Sequence, residues 1–126
     1  MRRVVMCFCL AVTLAAGPAF ALEADGGRVT AADLVAFCSV AEDDATYNTA
    51  IAFCFGYLDA ALDYHAALTA GPKFDPLTCP PETTTRDAVA VTFVEWAGAN
   101  SDAVGEGAPV HVVMQAAAET WPCATD

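Results

Sequence analysis

Basic side chains are nearly missing from this sequence: 5 lysines and arginines stand against 16 aspartates and glutamates, a formal net charge of -11 over 126 residues. Nucleic-acid affinity comes mainly from Lys and Arg neutralising phosphates, so a phosphate-backbone binder is excluded. Docking on anionic lipid is disfavoured by the same imbalance, which instead favours solubility and a cationic partner. Long apolar runs are also lacking. The run from Val4 to Ala16 has 13 residues, whereas a membrane-spanning helix needs about 20. No close cysteine pair follows it: Cys38, Cys54, Cys79 and Cys123 are separated by 16, 25 and 44 positions. A zinc site normally shows two cysteines two to four residues apart, and a redox site a C-x-x-C, so neither a metal nor another cofactor is expected. No serine elbow and no His-x-x-Glu pattern is present, and the two histidines, His65 and His111, have no nucleophile to serve. The chain therefore does not read as an enzyme.

What is present is a hydrophobic chain of one-domain length. Hydrophobic residues make up 56% and charged residues 17%, a balance that excludes disorder. Residues 1–21 have the three parts of a secretory signal peptide: Arg2 and Arg3, the apolar run, and the small-x-small site Ala19-Phe20-Ala21. Neither Cys7 nor Cys9 follows a small residue at the end of the apolar run, so no lipid anchor is expected. The mature chain, 22–126, then reads as a single helical domain with no membrane anchor. Export to an oxidising compartment makes disulfides the default state of its four cysteines, for which three connectivities are open.

Four segments show helical periodicity, and no stretch alternates long enough for a sheet. The first is expected from about Ala31 to Ala41, with Thr30 as N-cap three residues before Asp33 and with Leu34, Phe37, Cys38 and Ala41 on one face. The second runs from near Thr46 to about Leu68, its inward stripe being Ile51, Cys54, Phe55, Leu58, Leu62 and His65. Gly71, Pro72, Pro76, Pro80 and Pro81 make the next stretch a non-helical connection. A third helix is expected to start at Thr83-Thr84-Thr85, with Thr84 three residues before Asp87, and to pass Val89, Phe93 and Trp96 before stopping at Gly98. Residues 98–108 then read as a polar loop. Pro109 suits the first turn of a fourth helix, with Val110, Val113, Ala117 and Trp121 inward and His111, Gln115 and Glu119 outward. The fold class is all-α: a compact bundle of about four helices cross-linked by two disulfides.

The order of these motifs resembles a known family. Leu34 and Cys38 on a first helix are followed by Cys54-Phe55-Gly56-Tyr57-Leu58-Asp59-Ala60, by Cys79-Pro80 before a Thr-rich helix start, and by Trp121-Pro122-Cys123. This combination is similar to the Rap/Tai family of type VI secretion immunity proteins. Ala60 stands where glycine is frequent in that family, and Gly98-Ala99-Asn100 where a His-Pro-like break is common. The resemblance implies a helical periplasmic protein that binds and blocks a peptidoglycan amidase effector, commonly as a homodimer. Rivals from other classes are an acid-activated periplasmic stress chaperone and an exported helical assembly factor. The expected pairings are Cys38 with Cys54, joining the first two helices near their turn, and Cys79 with Cys123, joining the start of the third helix to the end of the fourth.

Individual residues sharpen the expectations. Gly56 lies inside a helix, where it costs about 1 kcal/mol relative to Ala, and close helix packing is the expected compensation. Tyr57 reads as an amphipathic core residue with its hydroxyl at the boundary. Asp59 and Asp63, four apart, form a solvated and mutually repulsive pair with no basic group nearby. His65 lies near a helix C-terminus, where a protonated ring is favoured. The partner-binding candidates are Asn100, Ser101, Asp102 and Glu106, set between glycines in a loop longer than the usual bundle connection of about 2 to 8 residues.

Overall fold

The computed structural model describes residues 27–124; the expected signal peptide and its cleavage site lie outside them. Five helices run through the described residues: α1 (Ala31–Cys38), α2 (Tyr47–Thr69), α3 (Arg86–Ala99), α4 (Ser101–Glu106) and α5 (Pro109–Thr120). No strand occurs among these residues. The architecture is thus all-α, with one helix more than the periodicity indicated.

Local chemistry explains where the helices begin and end. Thr30 and Asp33 form a reciprocal capping box, the Thr30 hydroxyl accepting from the Asp33 N–H at 3.1 Å and the Asp33 carboxylate accepting from the Thr30 N–H at 2.9 Å. This satisfies backbone donors that have no helical partner. Helix α1 ends at Cys38 rather than Ala41, because the Ser39 N–H bonds the Ala36 carbonyl at 3.2 Å and the Ser39 hydroxyl bonds that of Val35 at 2.7 Å. The last turn is thereby tightened and closed. Helix α3 is capped by Thr85, whose hydroxyl accepts from the Ala88 N–H at 3.2 Å. Thr84 is not the cap; its N–H closes the preceding turn onto the Pro81 carbonyl at 2.9 Å.

The core forms where α1, α2, α3 and α5 meet. Leu34, Cys54, Leu58, Phe93, Val112 and Val113 are its largest fully buried side chains. On α2 the buried line is Ala50, Cys54, Leu58 and Ala61. Ile51, Phe55, Leu62 and His65 are only half-buried, so this helix is turned towards its alanines, which let the neighbouring helices approach. On α5 the buried residues are Val112, Val113, Ala116 and Ala117. Val110, expected inside, is 45% exposed; Val112 takes the interior place, against the α4–α5 junction.

Two disulfides join these layers. Cys38, the last residue of α1, is bonded to Cys54 of α2, and Cys79, in the α2–α3 connection, to Cys123 after α5. Both pairings are the expected ones. The second belongs to a larger splice of the connection onto the end of α5. The Cys79 N–H bonds the Trp121 carbonyl at 2.8 Å, and the Thr78 hydroxyl reaches the carbonyls of Ala117 at 2.8 Å and Trp121 at 3.1 Å. Thr78 is 3% exposed and is the buried polar side chain among the described residues. It adds a second donor at the end of α5, where the Ala117 carbonyl also accepts from the Trp121 N–H at 2.8 Å.

Candidate partner-binding surface

The segment 98–108 is mostly helix and does not protrude as a loop. Asn100 ends α3 and starts α4, its side-chain amide donating to the Trp96 carbonyl at 2.8 Å and its N–H to that of Ala97 at 3.2 Å. The Asn100 side chain is therefore committed to turning the chain. Ala103 and Val104 are half-buried, and α4 packs on α1, α3 and α5. Gly107 explains the close fit: a Cβ there would lie 2.6 Å from the Ala103 carbonyl oxygen and 2.6 Å from Val112 Cγ2. What α4 offers to solvent is Ser101, Asp102 and Glu106, all exposed. Asp102 sits in the first turn, where a carboxylate is favoured by the helix dipole. The four sequence candidates thus lie close together on one short packed helix, with three of them presented outward.

A second polar region lies at the C-terminal half of α2. Asp59, Asp63, His65, Thr78, Thr84 and Arg86 line a cleft of about 270 Å³. Asp59 does have a basic neighbour, contrary to expectation: the Arg86 guanidinium is 3.2 Å away. Arg86 lies outside the α2 sequence, so its proximity arises only when α3 packs on α2. Arg86 also sits over the Phe55 ring, 5.6 Å from its centroid. His65 Nε2 accepts from the Leu77 N–H at 3.0 Å. The ring holds the connection down against α2.

The outer face of α2 departs from expectation at Gly56. A Cβ there would meet nothing within 4 Å, so no neighbouring helix approaches it and close packing does not compensate its cost. Phe37, Phe53 and Tyr57 run alongside, with ring centroids 4.9 Å apart for the first pair and 6.2 Å for the second. Burial raises the Tyr57 phenol above its ordinary value, partly offset by hydrogen bonding from the Val110 backbone. Tyr57 is thus the expected boundary residue, half-buried against the core. Tyr64, about two turns further on, is 66% exposed. The sequence pattern placed Phe55 inside and Tyr57 at the boundary but gave no place to Phe53 or Tyr64, and so missed this face.

Between α3 and α5, Trp96 Nε1 donates to Glu119 at 2.7 Å, so the outward stripe of α5 is partly engaged. No group of three or more His, Cys, Asp or Glu side chains able to hold a metal ion occurs among the described residues. No helix among them is long and apolar enough to cross a membrane.

Comparison with known proteins adds one finding. The family model of Rap1a immunity proteins matches residues 30–123, from the N-cap of α1 to the last disulfide cysteine. No curated protein and no solved structure matches the chain. The match spans all five helices and both disulfides. The chain therefore belongs to the Rap1a immunity protein family, the type VI secretion immunity family that its four-cysteine pattern resembles.

Proposed function

We propose that the chain is exported by its N-terminal 21 residues and acts in the periplasm by binding a peptidoglycan amidase effector and occluding its cleft. The family match over residues 30–123 carries this reading. The contact surface is the outer side of α4, with Ser101, Asp102 and Glu106 facing the enzyme and Asn100 positioning them through its bond to Trp96. A packed helix suits this role better than a free loop, because it loses little conformational freedom on binding. The acidic character of the chain favours an enzyme with a basic rim, and such charge complementarity mainly raises the association rate and weakens with salt.

The experiment is co-purification from a periplasmic extract, followed by titration of variants against the amidase recovered. Replacing Asp102 and Glu106 together by Lys lowers affinity and its salt dependence, while the helical spectrum is unchanged, since exposed charges contribute little to folding. Asp63→Lys on α2 is the control. If the control abolishes binding and the α4 variant does not, the surface is wrongly placed. Recovery of no cell-wall amidase would defeat the functional reading itself. The proposal includes a homodimer, for which the exposed face around Phe53, Gly56 and Tyr64 offers apolar surface free of bulk at its centre; sedimentation of Gly56→Glu against the parent protein tests it.

A further inference from the structure

A groove between the end of α1, the first half of α2 and the outer side of α3 takes no part in the function described above. It encloses about 430 Å³. Val40, Ile51, Phe55 and Val94 form its apolar walls. Val91 lies at its edge, 55% exposed. Every fully charged side chain that lines it is acidic: Glu42 before α2, and Asp87 and Glu95 on α3. The neighbouring cation, Arg86, lines the other cleft and is paired there with Asp59 at 3.2 Å, its guanidinium 5.6 Å from the centroid of the Phe55 ring. Among the described residues no cation is paired with Glu42, Asp87 or Glu95.

An apolar floor is stabilised by covering it with apolar surface, and a rim of one sign selects what can deliver that surface. The chain itself is a poor source. Residues 22–26 read Leu-Glu-Ala-Asp-Gly, and a second copy presenting this same face brings Glu42, Asp87 and Glu95 again; both would set carboxylates against carboxylates. Cys38 lines the groove and is bonded to Cys54, so α1 and α2 are held together before any ligand arrives. A pre-organised groove loses less on binding than one that must form.

We propose that this groove docks a cationic amphipathic segment of a partner protein. An apolar side chain of that segment enters beside Ile51 and Val91, and flanking lysines or arginines reach Glu42, Asp87 and Glu95. This is a second contact, separate from the α4 surface, and it does not depend on the partner being an amidase.

The test needs no effector, so its failure leaves the immunity reading intact. The isotope-labelled mature chain, disulfides intact, is titrated by NMR with a short amphipathic peptide of leucine and lysine. Two counterparts serve as controls, one with glutamate for lysine and one with serine for leucine. The amide shifts should cluster on residues 47–55 and 90–95, and the two controls should bind at least about tenfold more weakly. Val91→Asp, and separately Glu42→Lys with Glu95→Lys, should weaken the leucine–lysine peptide by about tenfold or more. These side chains are exposed, so the helical spectrum is retained. Shifts centred on residues 101–106, equal binding of either control peptide, or unchanged affinity of Val91→Asp would overturn the proposal. A dimer that Val91→Asp converts to monomer, without loss of peptide binding, would assign the groove to a second copy instead.

Discussion

Gly56 and Gly107 are both glycines near helices, yet they do opposite things. Gly107 is required by its surroundings, since a Cβ would collide with the Ala103 backbone and with Val112. Gly107→Ala should destabilise the protein by about 1–3 kcal/mol, the usual cost of overpacking. Gly56→Ala, in open space within α2, should stabilise it by up to about 1 kcal/mol. Urea titration of the two variants measures both, and equal effects would contradict the packing described. Asp33 supplies a test in pH. The Thr30 backbone N–H, and then its hydroxyl, hold the Asp33 carboxyl below its ordinary value of 3.8. A carboxyl depressed in the folded state adds stability that is complete above 3.8 and is lost as pH falls through the depressed value. Asp33→Ala should therefore be less stable than the parent near neutral pH, with the difference shrinking on acidification; urea midpoints across this range check it. A gap that grew towards low pH would refute the sign.

At the scale of elements, the splice between the α2–α3 connection and the end of α5 is the feature with most leverage. Thr78 is followed by a disulfide cysteine, and nothing in its sequence neighbourhood marks it as buried. Its hydroxyl partners lie 39 and 43 positions away. Thr78→Val keeps the shape but removes the hydroxyl's bonds to the Ala117 and Trp121 carbonyls, which keep the Trp121 and Cys79 N–H groups as donors, and should cost about 0.5–1.5 kcal/mol. Hydrogen exchange at the Cys79 amide should rise with it. The helix ends show what short-range chemistry can reveal: Thr30, Pro109 and the proline-rich connection were readable because each acts within a few residues. Helix α4 was not, because its six residues include Gly105, a weak helix former, and are followed by Gly107. Its conformation depends on packing against α1, distant in sequence, as well as against α3 and α5 on either side of it. The candidate residues Ser101, Asp102 and Glu106 were found by their polarity, but their arrangement on a packed helix was not.

For the whole molecule, the cross-links and the charge set the response to stress. The loops closed by the disulfides span 16 and 44 residues. The chain-entropy relation gives about 3 kcal/mol for the shorter and about 4 kcal/mol for the longer, against a typical stability of about 5–15 kcal/mol. Replacing Cys79 and Cys123 together by Ser should therefore lower the thermal midpoint more than replacing Cys38 and Cys54. It should also release the connection from α5, since the disulfide and the Thr78 splice act on the same segment. Acid should act differently. Carboxylates titrate near 4, so taking this chain to about pH 2–3 removes most of its negative charge without building a large positive one, and self-repulsion falls. Circular dichroism should show retained helicity there, and a client-aggregation assay no protection. Unfolding with client protection would instead support the acid-activated chaperone alternative.

The amino-acid sequence alone determined the helical class and most helix boundaries, and pointed to the cysteine pairing that the structure shows. The hydrophobic period, caps and prolines act over a turn or two, and four cysteines in this order leave few pairings consistent with adjacent helices. The tertiary structure decided which sides of those helices face one another. It turned α2 towards Ala50 and Ala61, left Gly56 open and Val110 outside, and brought Arg86 to Asp59. It also set His65 against Leu77 and made a groove from residues spread between Cys38 and Glu95. The physical reason is that periodicity gives a helix a broad apolar sector, whereas the azimuth it finally adopts is chosen by the volumes of side chains on its neighbours.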